Sequence, residues 1–100
     1  MKDYDKAVKD YEKAIKYGYS QSAVYYNRAN SKMKSGRLEE AIKDYNIAID
    51  KNPKYALAHY NRGLTKAKMR NHEDALRDID LAIKFDPNNH LFFNGKGVSL

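Results

Sequence analysis

The sequence predicts an all-α protein, a right-handed α-solenoid of stacked antiparallel helix pairs with about six helices. Three observations predict this fold class: an internal repeat of fixed period, apolar positions at helical spacing within each half of the repeat, and a proline near the end of each full repeat. A repeat of this kind indicates units that cannot bury their own apolar faces and therefore stack on copies of themselves.

The repeat appears when residues 22–55 are aligned with residues 56–89, because eleven positions then coincide without a gap. Residues 1–21 continue the same register, and residues 90–100 open a further unit. We therefore predict a single domain over residues 1–100, made of a partial unit, two full units and a second partial unit. The identical pairs are Tyr26/Tyr60, Asn27/Asn61, Arg28/Arg62, Lys32/Lys66, Lys34/Lys68, Glu39/Glu73, Ala41/Ala75, Asp44/Asp78, Ala48/Ala82, Ile49/Ile83 and Pro53/Pro87.

Each half of a unit predicts one helix, and the two halves differ in character. The second halves carry apolar residues at steps of three and four, which places these residues on one face of a helix. In the first halves this stripe is interrupted by Asn, Arg and Lys, as expected for a helix that packs on one side and lines a groove on another. We call the two kinds first-type and second-type helices. The predicted helices cover residues 3–17, 21–34, 38–51, 55–69, 72–85 and 89–100.

Apolar residues at helical spacing support each predicted helix, and turn-forming residues stand between the helices. Proline ends a helix and biases the preceding residue away from helical geometry, so Pro53 and Pro87 close the full units, and Gly36 separates the halves of the first. In chain order the apolar residues are Ala7, Val8, Tyr11, Ala14 and Ile15; Tyr25, Tyr26, Ala29 and Met33; Ala41, Ile42, Tyr45, Ala48 and Ile49; Tyr60, Gly63, Leu64 and Ala67; Ala75, Leu76, Ile79, Ala82, Ile83 and Phe85; and Phe92, Phe93 and Val98.

Composition narrows the classes of function. The sequence has no cysteine, which excludes disulfides and thiolate metal sites. No apolar run approaches the roughly 20 residues of a membrane span, and the charged start of the sequence shows no signal peptide. We therefore expect a cytoplasmic protein that does not enter a membrane.

The formal net charge of +6 has two interpretations. A basic surface could bind nucleic acid, an acidic protein or anionic lipid. Alternatively, the lysines form the solvated surface of a small helical protein. The acidic residues alternate with the basic ones along the chain, as in residues 9–13, and this favours the second interpretation. Nucleic acid is therefore not the expected partner.

No arrangement of residues indicates catalysis, a cofactor or a metal. His59, His72 and His90 lie in different helices or caps, and none has a second histidine four residues away. Residues 72–74 could hold a weakly bound metal, but acidic residues are also typical of the first turn of a helix. Residues 95–97 are too short for a phosphate-binding loop. We predict that the protein is not an enzyme.

Six positions of the full unit form a recognisable pattern. An aromatic residue and a small residue stand in the first helix, alanine opens the second, an aromatic and another alanine follow, and proline ends the unit. This pattern resembles the tetratricopeptide repeat, and it implies close helix packing at the small residues. The matching residues of the first full unit are Tyr25, Ala29, Ala41, Tyr45, Ala48 and Pro53. In the next unit His59 and Ile79 depart from the aromatics, and the same six positions hold His59, Gly63, Ala75, Ile79, Ala82 and Pro87.

Two basic positions depart from the family pattern. Arg28 and Arg62 stand where leucine is more common, and Asp10, Asp44 and Asp78 recur with the same period. We predict a repeated ion pair between helices, in preference to a ligand role for the arginines. Lys32 and Lys66 stand where an aromatic is common, and we expect their stems to cover apolar surface while their ammonium groups reach water.

The resemblance implies a concave groove, lined by the first-type helices, that binds an extended peptide or a helix of a partner. Asparagine can both donate to and accept from a peptide backbone, although a repeated asparagine can equally hydrogen-bond within the scaffold. By register the groove residues are Tyr26, Asn27, Asn30, Met33, Lys34, Leu57, Tyr60, Asn61, Leu64 and Lys68, and the last helix adds Leu91, Asn94 and Val98.

Some members of the family hold a carboxylate with a clamp of lysines and asparagines. Asn30 and Asn61 fall on the asparagine positions of that clamp. Tyr26, Leu91 and Gly95 replace its basic residues, so we do not expect binding of that kind.

The leading hypothesis is therefore a protein–protein interaction scaffold with a protein or peptide partner. The alternatives are a basic solenoid that binds RNA or an acidic surface, and a structural spacer within a longer repeat array. The second-type helix 3–17 and the first-type helix 89–100 are the two halves of one unit. We therefore also expect head-to-tail self-association, unless flanking repeats cover these helices.

Overall fold

The computed structural model describes residues 4–18 and 21–89, with Tyr4 and Asp5 described by their backbone alone. This part of the chain contains five helices and no strand. The helices confirm five of the six predictions to within one residue at each end, and the sixth predicted helix, 89–100, lies outside the described residues except for Asn89. The helices are α1 (Tyr4–Lys16), α2 (Ser22–Lys34), α3 (Leu38–Lys51), α4 (Ala56–Lys68) and α5 (His72–Phe85).

The helices pack in chain order, and their contacts define an inner and an outer row. Each helix contacts the next one along the chain, and α2 also contacts α4. The second-type helices α3 and α5 make no such contact with each other. The first-type helices therefore lie closer together than the second-type helices, which puts α2 and α4 on the inner, concave side of an α-solenoid.

Small residues stand where the helices touch, as the sequence predicts. Gly63 packs so closely on α5 that a Cβ atom built on it would lie 2.9 Å from the carbonyl oxygen of Ala75. Real Cβ atoms essentially never come this close, so a side chain there would push the helices apart. The other small residues of this kind are also buried: Ala29, Ala41, Ala48, Ala75 and Ala82.

The turn inside each full unit requires a left-handed backbone. Gly36 adopts this conformation between α2 and α3, with φ of 88°. Arg70 occupies the same position one repeat later and also has a positive φ, of 70°. A side chain makes this conformation less favourable, so the fold holds Arg70 in a strained geometry that glycine adopts freely.

Buried aspartates bind two cations each, and these clusters join the helices of each unit. The guanidinium of Arg28 donates two hydrogen bonds of 2.7 Å to the carboxylate of Asp44. The ammonium of Lys32 lies 3.1 Å from the same carboxylate. Asp44 is 2% exposed, so a buried carboxylate joins α2 to α3. We call this the Asp44 cluster.

An equivalent cluster, the Asp78 cluster, joins α4 to α5. Arg62 donates hydrogen bonds of 2.9 and 2.7 Å to the carboxylate of Asp78, and Lys66 lies 3.0 Å from it. Arg62 also donates a hydrogen bond of 2.7 Å to Asn46 on α3, which links the two full units. The predicted arginine–aspartate pairs are therefore confirmed.

The expectation for the two lysines is wrong. Lys32 is buried, and Lys66 is half-buried. Both ammonium groups contact a carboxylate instead of extending into water, because each lysine lies one helical turn after an arginine that already holds the aspartate in place.

The stability of the Asp78 cluster should depend on pH. Burial alone would raise the pKa of Asp78, but hydrogen bonds from Arg62 and Lys66, together with their charges, outweigh burial and lower it. Because the folded pKa lies below the unfolded value of about 3.9, the cluster stabilises the fold fully above about pH 4. This contribution is lost as the pH falls through the folded pKa.

We therefore expect the destabilisation caused by Asp78→Asn to be largest near neutral pH and to shrink below about pH 4. Urea unfolding of the parent and the variant over this range measures the difference. An equal difference at every pH would contradict a charged Asp78 as the source of the stabilisation.

Candidate functional site

The ten predicted groove residues divide equally between α2 and α4, the two helices of the inner row. They differ in exposure. Asn27, Lys34, Leu57 and Lys68 are exposed, whereas Tyr60 is 5% exposed. The half-buried residues are Tyr26, Asn30, Met33, Asn61 and Leu64. The inner face therefore has a half-buried centre between exposed edges.

A hydrogen-bond network occupies this centre and connects α2, α3 and α4. The amide nitrogen of Asn61 donates to the hydroxyl of Tyr26 at 2.9 Å and to the amide oxygen of Asn30 at 3.0 Å. The hydroxyl of Tyr45 donates to the same oxygen of Asn30. Burial raises the pKa of Tyr45, which keeps this hydroxyl protonated and able to donate.

In Asn30 and in Asn61, one polar side-chain atom takes part in the network and the other does not. The oxygen of Asn30 accepts two hydrogen bonds, and the nitrogen of Asn61 donates two. Within the described part of the chain, neither the Asn30 Nδ2 nor the Asn61 Oδ1 has a hydrogen-bond partner, and both residues are half-buried. The inner face thus offers a donor and an acceptor on adjacent helices.

The sequence left two roles open for the repeated asparagines Asn27 and Asn61: contact with a peptide, or a hydrogen bond within the scaffold. Asn61 hydrogen-bonds within the scaffold through its nitrogen, and its side-chain oxygen has no partner among the described residues. Asn27 occupies the same position one repeat earlier but is exposed and forms no hydrogen bond with the residues that the structure describes. The sequence could not distinguish them, because the difference depends on whether a preceding first-type helix lies alongside.

The tyrosines contribute to the site in unequal ways. The ring of Tyr26 packs against Tyr55, with ring centroids 4.9 Å apart, and approaches Tyr45 at 6.1 Å. Tyr60 instead belongs to a buried cluster with Ile79 and Ala82. Tyr26 can therefore present its hydroxyl edge to a ligand, whereas the side chain of Tyr60 mainly supports the packing of α4 on α5.

The groove has further predicted members, and one cavity lies apart from it. Leu91, Asn94 and Val98, which the sequence adds to the groove, lie outside the described residues. A cavity of about 420 Å³ lies near the turn between α2 and α3, lined by residues 36–40 and Met69. It contains none of the ten groove residues. An extended peptide needs a furrow and not a closed pocket, so the position of this cavity does not argue against the groove.

Of the two histidines in the described ranges, His59 lies in the core and His72 is exposed at the start of α5. His59 is buried, its Nε2 lies 2.9 Å from the carbonyl oxygen of Pro53, and its ring packs against Phe85. Asp74 accepts a hydrogen bond of 3.0 Å from Asn71 at the start of α5. Among residues 4–18 and 21–89, no group of three or more potential metal ligands comes together. None of the helices in these ranges is long and apolar enough to cross a membrane.

Family models place the chain in a known class of repeat protein. Models described as TPR repeat and tetratricopeptide repeat match residues 29–69, 56–89 and 1–17. The helices and the helix order agree with that family. The chain is a tetratricopeptide-repeat protein.

Solved structures show the same fold. The TPR protein YrrB, described as having an unusual peptide-binding site, has a TM-score of 0.88 at 25% identity over 95% of this chain. The chain spans 49% of the YrrB chain. The first TPR of Spaghetti (RPAP3), bound to the HSP90 peptide SRMEEVD, has a TM-score of 0.86 at 26% identity, over 91% of this chain and 72% of that chain.

A third solved structure supports the fold alone. The Arabidopsis OM64 TPR domain has a TM-score of 0.89 at 24% identity, over 94% of this chain and 78% of that chain. A comparison with curated proteins found no match.

Proposed function

We propose that the protein is a non-catalytic interaction scaffold that binds a peptide or helix of a partner protein along α2 and α4. The observation that carries the proposal is the pair of unused polar atoms, Asn30 Nδ2 and Asn61 Oδ1, on the half-buried inner face. Two solved relatives with the same fold are described with bound peptide or a peptide-binding site. Residues 1–100 would act as one domain.

The two atoms match the needs of a peptide backbone. A backbone offers one N–H and one C=O at each residue, so Asn30 would donate to a carbonyl and Asn61 would accept from an amide. Both asparagines are already held by hydrogen bonds to Tyr26 and Tyr45. Holding them in place lowers the entropy cost of binding, because little side-chain motion remains to be lost.

The edges of the inner face add a preference for partner charge. Lys34 and Lys68 are exposed near the ends of their helices. Exposed ion pairs contribute little energy each, typically below about 1 kcal/mol. These lysines would therefore favour acidic residues at the edges of a bound peptide, while the centre supplies most of the affinity.

Binding of RNA or an acidic surface is a second candidate, supported by the net charge of +6. The Asp44 and Asp78 clusters weaken it, because their four cations are already engaged by carboxylates within the chain. A steep loss of affinity with increasing salt, measured with a single-stranded RNA oligonucleotide, would favour this candidate. A structural spacer would bind neither RNA nor peptide. We also propose a cytoplasmic location, which rests on the composition.

Substitution of Asn30 by aspartate tests the groove, because it removes the unused donor; it also adds a negative charge, which the control below matches. Aspartate keeps the oxygen that accepts from Tyr45 and Asn61 but replaces the outward nitrogen donor with a second acceptor. We expect affinity for a bound peptide to fall by about tenfold or more, since an unpaired buried polar group costs about 1–3 kcal/mol. The probe is a peptide selected from a random library displayed on phage against residues 1–100, then synthesised and measured by calorimetry.

Asn46→Asp is the matched control. Asn46 lies on α3, away from the inner row, and its oxygen accepts from Arg62 as the oxygen of Asn30 accepts from Tyr45. We expect this control to bind the peptide as the parent does. Equal affinity of the Asn30→Asp variant and the parent would place peptide binding elsewhere on the molecule, and failure to select any peptide would favour the spacer.

A further inference from the structure

The two helices of the inner row carry cations and no acidic residue. α2 contains Arg28, Lys32 and Lys34, α4 contains the same three residue types one repeat later, and neither helix has an aspartate or a glutamate. The acidic residues in the range 22–85 all lie on α3 or α5. The two aspartate clusters bind four of the inner cations. Lys34 and Lys68 are exposed and form no ion pair with the described residues, so they are available to an acidic ligand.

These two lysines stand at the same edge of the inner face. α2 and α4 run in the same direction, because α3 packs on both and is joined to each by a short turn. Lys34 and Lys68 are the last residues of the two helices. Lys34 follows Asn30 by four residues, and Lys68 follows Asn61 by seven. Residues at these spacings lie on one face of a helix, so the face that carries the asparagines ends in a cationic edge.

The opposite edge of the inner face is apolar. Leu57 is 38% exposed at the second position of α4 and precedes Asn61 by four residues. Ala23, which is also exposed, occupies the equivalent position of α2. At the rise of an α-helix, about 16 Å separate Leu57 from Lys68 along α4. Long side chains on a helix lean toward its amino-terminal end, so the lysines extend from their edge toward the asparagines.

An extended peptide that crosses this face would direct its side chains to the two edges in turn. In an extended backbone the N–H and C=O groups point sideways, and successive side chains point in opposite directions. If the backbone turns its N–H and C=O groups toward Asn30 and Asn61, one set of side chains faces the lysines and the other faces Leu57. A helical ligand could not use the two asparagine atoms in this way, because its backbone groups bond to each other.

We propose that the ligand is an extended peptide in which acidic and apolar residues alternate, with the acidic side chains at Lys34 and Lys68 and an apolar one against Leu57. The inference rests on the proposed peptide groove and specifies its ligand. Side chains on one side of an extended chain recur about every 7 Å, and packed helices lie about 8–10 Å apart. Since α2 contacts α4, two acidic residues separated by one apolar residue can therefore reach both lysines.

Two synthetic peptides of identical composition test the pattern. One alternates glutamate with leucine, and the other places all its glutamates before its leucines. Both have acetylated and amidated ends, so terminal charges do not contribute. We expect calorimetry with residues 1–100 to show that the alternating peptide binds about tenfold or more tightly, because only it matches both edges at once. Equal affinity for the two peptides, or no binding of either, would overturn the proposal.

Reversing the charge of the cationic edge identifies the contact. In the variant with Lys34→Glu and Lys68→Glu, we expect the glutamate–leucine peptide to bind about tenfold or more weakly. A peptide that alternates lysine with leucine should bind this variant in its place. Lys43→Glu with Lys84→Glu is the matched control, since these exposed lysines lie on α3 and α5 and the net charge changes equally. Equal losses in both variants would contradict a specific contact at the cationic edge.

The substitution Leu57→Ser tests the apolar edge. We expect it to weaken binding of the glutamate–leucine peptide several-fold, because exposed apolar surface on both partners is no longer buried. A peptide that alternates glutamate with serine should bind the parent and the variant alike. An equal effect on the two peptides would contradict the contact of Leu57 with the apolar side chains.

The Asn30→Asp variant separates this inference from the proposed function. If the alternating peptide loses affinity in that variant but not on reversal of the two lysines, the groove stands and the alternating pattern is wrong. If reversal of the lysines weakens binding and Asn30→Asp does not, the cationic edge stands and the proposed contact of the asparagines with the backbone is wrong.

Discussion

Replacing Asp44 with alanine should lower the free energy of unfolding by about 3 kcal/mol or more. Asp44 is 2% exposed, and its carboxylate binds the side chains of both Arg28 and Lys32, which are 16% and 10% exposed. Without Asp44, two cations would remain close together between α2 and α3. Removing one partner of a buried ion pair is strongly destabilising, because the other partner keeps the cost of leaving water without the compensating attraction.

Asp10→Ala is the matched control for this prediction. Asp10 occupies the same position of the repeat on α1, but it is exposed and forms no ion pair among residues 4–18 and 21–89. We expect its free energy of unfolding to change by less than about 0.5 kcal/mol. Urea unfolding of both variants measures the comparison. Similar losses for both would mean that burial of the carboxylate does not determine its contribution.

The sequence predicted those parts of the fold that repeat. The shared period of Arg28 with Asp44, and of Arg62 with Asp78, was enough to predict the ion pairs, because a contact within a unit must recur wherever both residues recur. For the same reason, the recurring small residues indicated where the helices touch. Helix ends were predictable because proline, glycine and the apolar spacing all mark them.

Contacts between units were less accessible to sequence reasoning. The hydrogen bond from Arg62 to Asn46 joins two units, and the repeat changes the chemistry at the Asn46 position: one repeat earlier it holds Glu12, whose charge acts on Arg28, and one repeat later it holds Asp80. The network of Asn30, Asn61 and Tyr26 likewise joins different positions of neighbouring units. The sequence placed these residues in one groove but could not determine which polar atoms bind each other and which remain available.

Tyr60 illustrates a second limit. It aligns with Tyr26, so sequence reasoning treats the two alike. The structure buries Tyr60 with Ile79 and Ala82, whereas Tyr26 stays half-buried beside Tyr55. The surroundings of equivalent residues differ because the residues of neighbouring units differ, and this difference is not visible in the repeat itself.

The close approach of the helices leads to the last prediction, which concerns Ala48. Ala48 is 0% exposed and belongs to one buried cluster with Ala29 of α2 and Ala58 of α4. A leucine there would require space where three helices meet, so it should force both neighbours away from α3. We expect Ala48→Leu to destabilise the protein by about 3 kcal/mol, at the upper end of the usual cost of overpacking.

At this chain length such a loss corresponds to a melting temperature lower by roughly 10–20 °C, which circular dichroism can measure. Ala23→Leu is the matched control, because Ala23 lies on an exposed position of α2 and the same atoms are added in solvent. Its melting temperature should stay within about 3 °C of the parent, since leucine and alanine differ little in helix propensity. If Ala48→Leu melts as the control does, the helices can separate at little cost, and close packing at the small residues does not determine the stability of the solenoid.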